Sequence, residues 1–190
     1  MHFLPKFRLF ISLNPESGDL VHLKDVFPEI KKDLESYPVK WIEPDKFHMT
    51  LRFLGDVDEQ NIEPLACTLD RLKFDFEHIE FSTDKIGFFP DSRYPNVIYA
   101  GLLEKGNGAE QLVSFIDRII LNFGVKPEKR FVPHITLGRF SRDKRKKIEP
   151  EFSFPLKPEN VIFRSFSLMK SSLRPEGPVY EELYKFNFLK

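Results

Sequence analysis

The chain has 190 residues, a length that fits one domain spanning 1–190, and it balances 29 Lys and Arg against 29 Asp and Glu. A net charge of zero supplies no general attraction to nucleic acid or to an anionic membrane, so any nucleic-acid contact has to be local. The single cysteine, Cys67, excludes an intramolecular disulfide, and no window reaches the ~18 apolar residues of a membrane span.

The opening MHFLPKFRLFISL is too broken by Pro5, Lys6 and Arg8 to serve as a signal-peptide core. It predicts a first core strand, Arg8–Leu13, in a cytoplasmic protein. Leu20, Leu23, Val26, Phe27, Ile30 and Leu34 follow at helical spacing and stop before Tyr37-Pro38. A strand then ends in FHMTLRFLG, residues 47–55. Ile62, Leu65, Leu69 and Leu72 mark a helix within 58–73, where Cys67 is expected to be buried and inert. Strands are expected near 76–89.

The second half repeats that order. Asn96–Leu102 reads as a strand. Leu112, Phe115, Ile116, Ile119, Ile120 and Phe123 read as a helix ending at Gly124, and PHITLGRF, residues 133–140, as another strand. A short helix over 141–149 and strands near 160–169 complete the copy. Two copies of β-α-β-α-β predict an α+β fold in which two lobes face each other across a pseudo-twofold axis. The chain also has 21 phenylalanines, most of them expected in the core.

His48-Met-Thr50-Leu51 and His134-Ile-Thr136-Leu137 carry the chemistry. Residues two apart in a strand share a face, so each His stands beside its Thr while the intervening side chains enter a core. With five His and four Thr in the chain, chance placement gives roughly 0.1 such pairs, and two occur. One copy alone would read as a β-branched Thr in a strand beside an ordinary His. A copy in each half reads as a convergent pair. The two His are far apart in sequence and have no Cys, Asp or Glu on their faces. They therefore do not supply the three or four ligands of a zinc site, and no metal or other cofactor is expected.

Histidine titrates near neutrality, so one imidazole can accept a proton from water while the other gives one to a departing ribose oxygen. Thr50 and Thr136 can donate to non-bridging oxygens as charge builds on them. That chemistry suits a cyclic phosphodiester.

The double motif closely resembles the 2H phosphoesterase superfamily, and within it the RNA 2′,3′-cyclic phosphodiesterases also called 2′-5′ RNA ligases. The similarity covers Arg8–Leu13, Trp41 with Phe47–Val57, Phe131–Arg139 and the closing run Ser171–Tyr180. It implies a bilobal fold with a central cleft, and hydrolysis of an RNA 2′,3′-cyclic phosphate to a 2′-phosphomonoester. It also implies His48 as proton donor and His134 as acceptor, roles the residues alone leave open. Weak reverse 2′-5′ ligation needs no further residues.

Arg52, four after His48, is expected on its strand face and able to bind phosphate. Arg139, five after His134, alternates away, but a twist after Gly138 would return it to the substrate. Phe53 and Phe140 are candidates to stack a base, with core packing the more ordinary use. The basic run Arg142–Lys147 is either a solvated turn or a cleft rim. His2, His22 and His78 have no Thr two residues on and read as ordinary positions. The expected partner is an RNA end or nucleotide bearing a 2′,3′-cyclic phosphate, with no membrane, no obligate protein partner and a monomer as default. Two other readings stay open: a phosphodiesterase for a small nucleotide, such as an ADP-ribose cyclic phosphate or 2′,5′-oligoadenylate, and a non-catalytic module binding RNA ends.

Overall fold

The computed structural model describes residues 5–16, 18–127, 130–141, 148, 152, 154, 156–174 and 177–189. The first expected strand forms as β1 (Lys6–Leu13), with Leu9, Ile11 and Leu13 in the core. Helix α1 (Val21–Asp33) buries Leu23, Phe27 and Ile30, the positions its 3.6-residue period selects. Lys31 and Lys32 in its last turn face the negative end of the helix dipole. A short strand, β2 (Val39–Trp41), precedes β3 (Met49–Asp58). Helix α2 (Ile62–Asp70) sits between two 3₁₀ turns, and β4 (Ile79–Phe89) follows.

The second half runs β5 (Val97–Glu104), α3 (Gly108–Leu121) and β6 (His134–Phe140). The N-terminus of α3 is closed by Glu104, whose carboxylate accepts from the Ala109 N–H at 2.6 Å. Beyond its C-terminus Gly124 takes φ 76°, a left-handed conformation open to glycine at little cost. The strands β7 (Asn160–Phe163), β8 (Ser165–Arg174) and β9 (Gly177–Asn187) end the chain.

The halves exchange strands. One antiparallel sheet has the order β3-β1-β8-β9, so β1 joins the first His motif on one side to the C-terminal strands on the other. The other has the order β2-β6-β5-β4-β7 and takes β2 and β4 from the first half. The internal repeat predicts the two His strands and their β1 and β5 neighbours. It does not predict the exchange, nor β2 and β9, because alternation within a strand records which face is buried and not which strand lies beside it.

One continuous apolar cluster joins the sheets and helices. Cys67 corrects an expectation: it is exposed. In α2 the buried positions are Leu65, Ala66 and Leu69, and a helical turn puts Cys67 on the opposite side from Leu65 and Leu69. No helix among the described residues is long and apolar enough to cross a membrane. The basic run Arg142–Lys147, most of the helix expected around it, and His2 lie outside the described residues.

Candidate active site

His48 ends the loop into β3, and His134 opens β6. Both are half-buried. The Nδ1 of His48 lies 2.8 Å from the carbonyl of Lys46, and the Nδ1 of His134 lies 2.7 Å from the carbonyl of Val132. A carbonyl only accepts, so each Nδ1 carries a proton and donates it. The neutral tautomer is thereby fixed with its proton on Nδ1 and Nε2 unprotonated. Each imidazole is thus held by the backbone two residues before it, in the same way on both sheets.

Each ring is also braced by a phenyl and a phenol. Phe10 and Tyr180 lie 5.2 and 5.1 Å from His48, centroid to centroid. Phe89 and Tyr99 lie 5.0 and 5.5 Å from His134. Tyr99 stacks on Phe89 at 4.1 Å and covers Gly87, where a Cβ would stand 2.5 Å from the Tyr99 ring. A side chain at residue 87 would push Tyr99 off His134.

The two sites feel each other. Burial is the largest cause that holds the His48 pKa below the ordinary histidine range. The hydrogen bond to the Lys46 carbonyl opposes it, while the positive charges of His134 and Arg139 lower it further. The two imidazoles and Arg139 therefore share one electrostatic neighbourhood. Thr50 pairs with Ser12 on β1 and Thr136 with Tyr99 on β5, and each Thr is half-buried two residues from its His.

The arginines trade places relative to simple alternation. In β3 the register slips at Leu51: Thr50 pairs with Ser12 and Arg52 with Ile11. Past that irregularity Arg52 does not continue the His48–Thr50 face. It is 4% exposed, and its guanidinium binds Asp117 of α3 through two bonds of 2.6 and 2.8 Å, with a third to the Leu51 carbonyl. The structure thus sets Arg52 in an ion pair within the fold and does not bring it to the two histidines. The equivalent slip in β6 falls at Leu137, between Thr136 opposite Tyr99 and Gly138 opposite Ile98. Past it Arg139 is exposed and its charge reaches His48, although β6 continues through Phe140 and does not end at Gly138.

The residue matching Arg139 in β3 is Phe53, 46% exposed and 6.1 Å from Phe10. Phe140, the other candidate for stacking, is core and lies against Phe88.

Tyr180 is the site residue that motif reading passed over. Burial raises its pKa, and the charges of Arg139 and Arg8 oppose that rise. The phenol therefore sits among His48, Arg139 and Arg8. Its position in the closing run Ser171–Tyr180 was the available signal. Phe10 and Arg8 had one too, since both share the Ser12 face of β1 by alternation. Among the described residues, no three of His, Cys, Asp and Glu gather as a set able to hold a metal ion.

Comparison with known proteins adds to this geometry. The family model described as LigT like Phosphoesterase matches residues 18–99 and 103–180. A Thermotoga maritima protein named RNA 2′,3′-cyclic phosphodiesterase is 30% identical over 183 residues, covering 95% of each chain. One of the same name from Methanocaldococcus jannaschii is 31% identical over 181 residues, covering 92% of this chain and 96% of its own. Among solved structures, TT0787 of Thermus thermophilus superposes with a TM-score of 0.74 at 25% identity, over 95% of this chain and 97% of that one. The fold is also that of Escherichia coli LigT complexed with 3′-AMP, with a TM-score of 0.74 at 20% identity over 97% and 99% of the two chains.

Proposed function

The chain belongs to the LigT-like phosphoesterase family, and from that premise we propose that it hydrolyses a 2′,3′-cyclic phosphodiester at an RNA end to a 2′-phosphomonoester. The observation that carries this reading is the matched pair of imidazoles. Each has Nδ1–H committed to a backbone carbonyl, and the charge of one is felt by the other.

Water attacks phosphorus in line with the 3′ oxygen. One neutral Nε2 takes the proton of the water as the P–O bond forms. The other Nε2–H gives a proton to the 3′ oxygen as its bond to phosphorus breaks. The product carries a 2′-phosphate and a 3′-hydroxyl, and the two histidines end with their protonation states exchanged. Similarity to the family assigns His48 as donor and His134 as acceptor.

Without substrate, burial above all, with the charge of Arg139, disfavours the His48 imidazolium and holds its pKa below the ordinary histidine range. The substrate phosphate brings a negative charge that favours the imidazolium and so readies the donor. Thr50 and Thr136 donate to the non-bridging oxygens, and Arg139 balances their growing charge. Relatives named RNA 2′,3′-cyclic phosphodiesterase, similar along nearly the whole chain, support the substrate. The lone cysteine favours a reducing, cytoplasmic setting.

Product analysis tests the proposal. An oligonucleotide ending in a 2′,3′-cyclic phosphate is incubated with the protein, and the terminal phosphate is located by phosphorus NMR. A 2′-phosphate is expected. A 3′-phosphate, or an unchanged substrate, contradicts the reading.

A further inference from the structure

Next to His48 lies a pocket of about 190 Å³ whose lining includes no residue of either His–Thr motif. Its wall includes Lys40, Trp41, Glu43, Lys46, Arg139 and Tyr180. Three of these connect it to the reacting centre. The Tyr180 ring stands 5.1 Å from His48, the charge of Arg139 reaches His48, and the Lys46 carbonyl accepts the His48 Nδ1–H. At this size the pocket falls below the ~300–1,000 Å³ of sites that enclose a whole small molecule. It is an extension of the cleft, able to take one further unit of a longer substrate.

The lining says what that unit is. Lys40 on β2 and Arg139 on β6 are direct cross-strand partners, and both are exposed. Like charges set opposite each other in an antiparallel pair weaken the sheet, and an anion bound beside them would offset that repulsion. Lys46 adds a third cation, against the one carboxylate of Glu43. The chain as a whole has no net charge, so this concentration belongs to the pocket and not to the protein in general. Beside the cations are two rings. Trp41 is fixed edge-on against Phe27 at 5.6 Å, and Tyr180 is fixed against Phe10 at 5.3 Å. Cations next to immobile aromatic faces are the combination by which proteins hold single-stranded nucleic acid.

We propose that this pocket binds the phosphodiester on the 5′ side of the terminal nucleotide, with Lys40 as its main cation and Trp41 and Tyr180 flanking the adjoining sugar or base. The inference rests on the cyclic phosphodiesterase reading and adds to it a preference for RNA ends over cyclic mononucleotides. Gly138 makes the arrangement possible. A Cβ there would lie 2.6 Å from Val39 and 3.0 Å from Trp41, so only glycine lets β2 approach closely enough to set Lys40 beside Arg139.

Lys40 is exposed on a short edge strand, so Lys40→Gln leaves the fold intact and touches neither histidine. Two measurements test the pocket. First, kcat/KM is compared for a nucleoside 2′,3′-cyclic phosphate and for a dinucleotide with the same cyclic end. The wild type should favour the dinucleotide by about tenfold or more, the worth of a charge-assisted contact. Lys40→Gln should lose most of that preference, leave the mononucleotide rate unchanged, and flatten the salt dependence for the dinucleotide by about one phosphate contact. Equal wild-type rates on the two substrates, or a variant slowed equally on both, overturns the proposal.

Second, a dinucleoside monophosphate with no cyclic end is titrated while the fluorescence of Trp41, the single tryptophan, is followed. Saturable quenching that weakens about tenfold in Lys40→Gln supports the pocket even if no substrate turns over, in which case the catalytic reading alone fails. The same affinity in both proteins, or no quenching, overturns it.

Discussion

His48 on one sheet and His134 on the other donate Nδ1–H to the carbonyl two residues back, at 2.8 and 2.7 Å, and each has a phenyl and a phenol beside it. In both strands the register slips at the Leu after the Thr. Beyond that slip the half-sites part. β3 is an edge strand, and its next two residues are Arg52, tied to Asp117, and Phe53, half exposed. β6 is covered by β2, so the same two positions are Gly138, which admits the extra strand, and Arg139, whose charge reaches His48. What the halves share is what both proton transfers of the proposed reaction require. Where they differ, one side presents an exposed arginine and the other a half-exposed phenylalanine. The asymmetry between the two half-sites begins with the residues just after the His–Thr repeat.

Removing either member of the pair is expected to have the largest effect. His48→Ala and His134→Ala should each lower kcat/KM by about 10²–10⁴, the usual worth of a general acid or base, with the folded spectrum retained. Full activity in either variant would end the equivalence of the two half-sites.

Arg139→Gln comes next. It should cost about tenfold to a hundredfold in kcat/KM, the worth of a hydrogen bond to a charged group. It also removes a positive charge that disfavours the His48 imidazolium, so the His48 pKa should rise. If His48 is the donor, the alkaline limb of the kcat/KM–pH curve moves to higher pH. A limb that stays in place would separate Arg139 from His48. Phe53, at the matching position, carries no charge, and Phe53→Ala should leave that limb where it is.

The behaviour of the arginines shows where sequence reading stopped. Alternation located both His–Thr faces and most of the apolar positions of β1, α1, α2 and α3, because burial imposes those periods directly. It put Arg52 in the site and argued against Arg139, since a one-residue slip within four residues of each His reverses the parity and leaves no compositional mark. Cys67 was misplaced by its neighbour Ala66: adjacent helical positions point about 100° apart, and only Ala66 faces the core. The strand exchange was hidden for a related reason, since pairing between distant strands is decided by packing and not by local pattern. Tyr180 was visible as part of a resemblance, but its contact with His48 depends on β9 returning along β8.

Arg52→Ala should have a smaller effect of a different kind. With its guanidinium gone, Asp117 loses two charged hydrogen bonds, and stability should fall by about 2 kcal/mol in denaturant titration. Turnover by the folded protein should change little. A loss of kcat/KM with stability unchanged would instead return Arg52 to the substrate, and with it the idea that the two halves place their arginines alike.

Whether His48 and His134 face one phosphate is tested most directly by NMR titration of both imidazole Cε1–H signals with a nucleoside 2′-monophosphate, the product end of the proposed reaction. One equivalent should move both signals together, raise the pKa of His48 from its lowered value, and lose its effect on His48 when His134 is replaced by Gln. Movement of a single histidine, or two separate binding events, would place the rings at different sites and contradict the account.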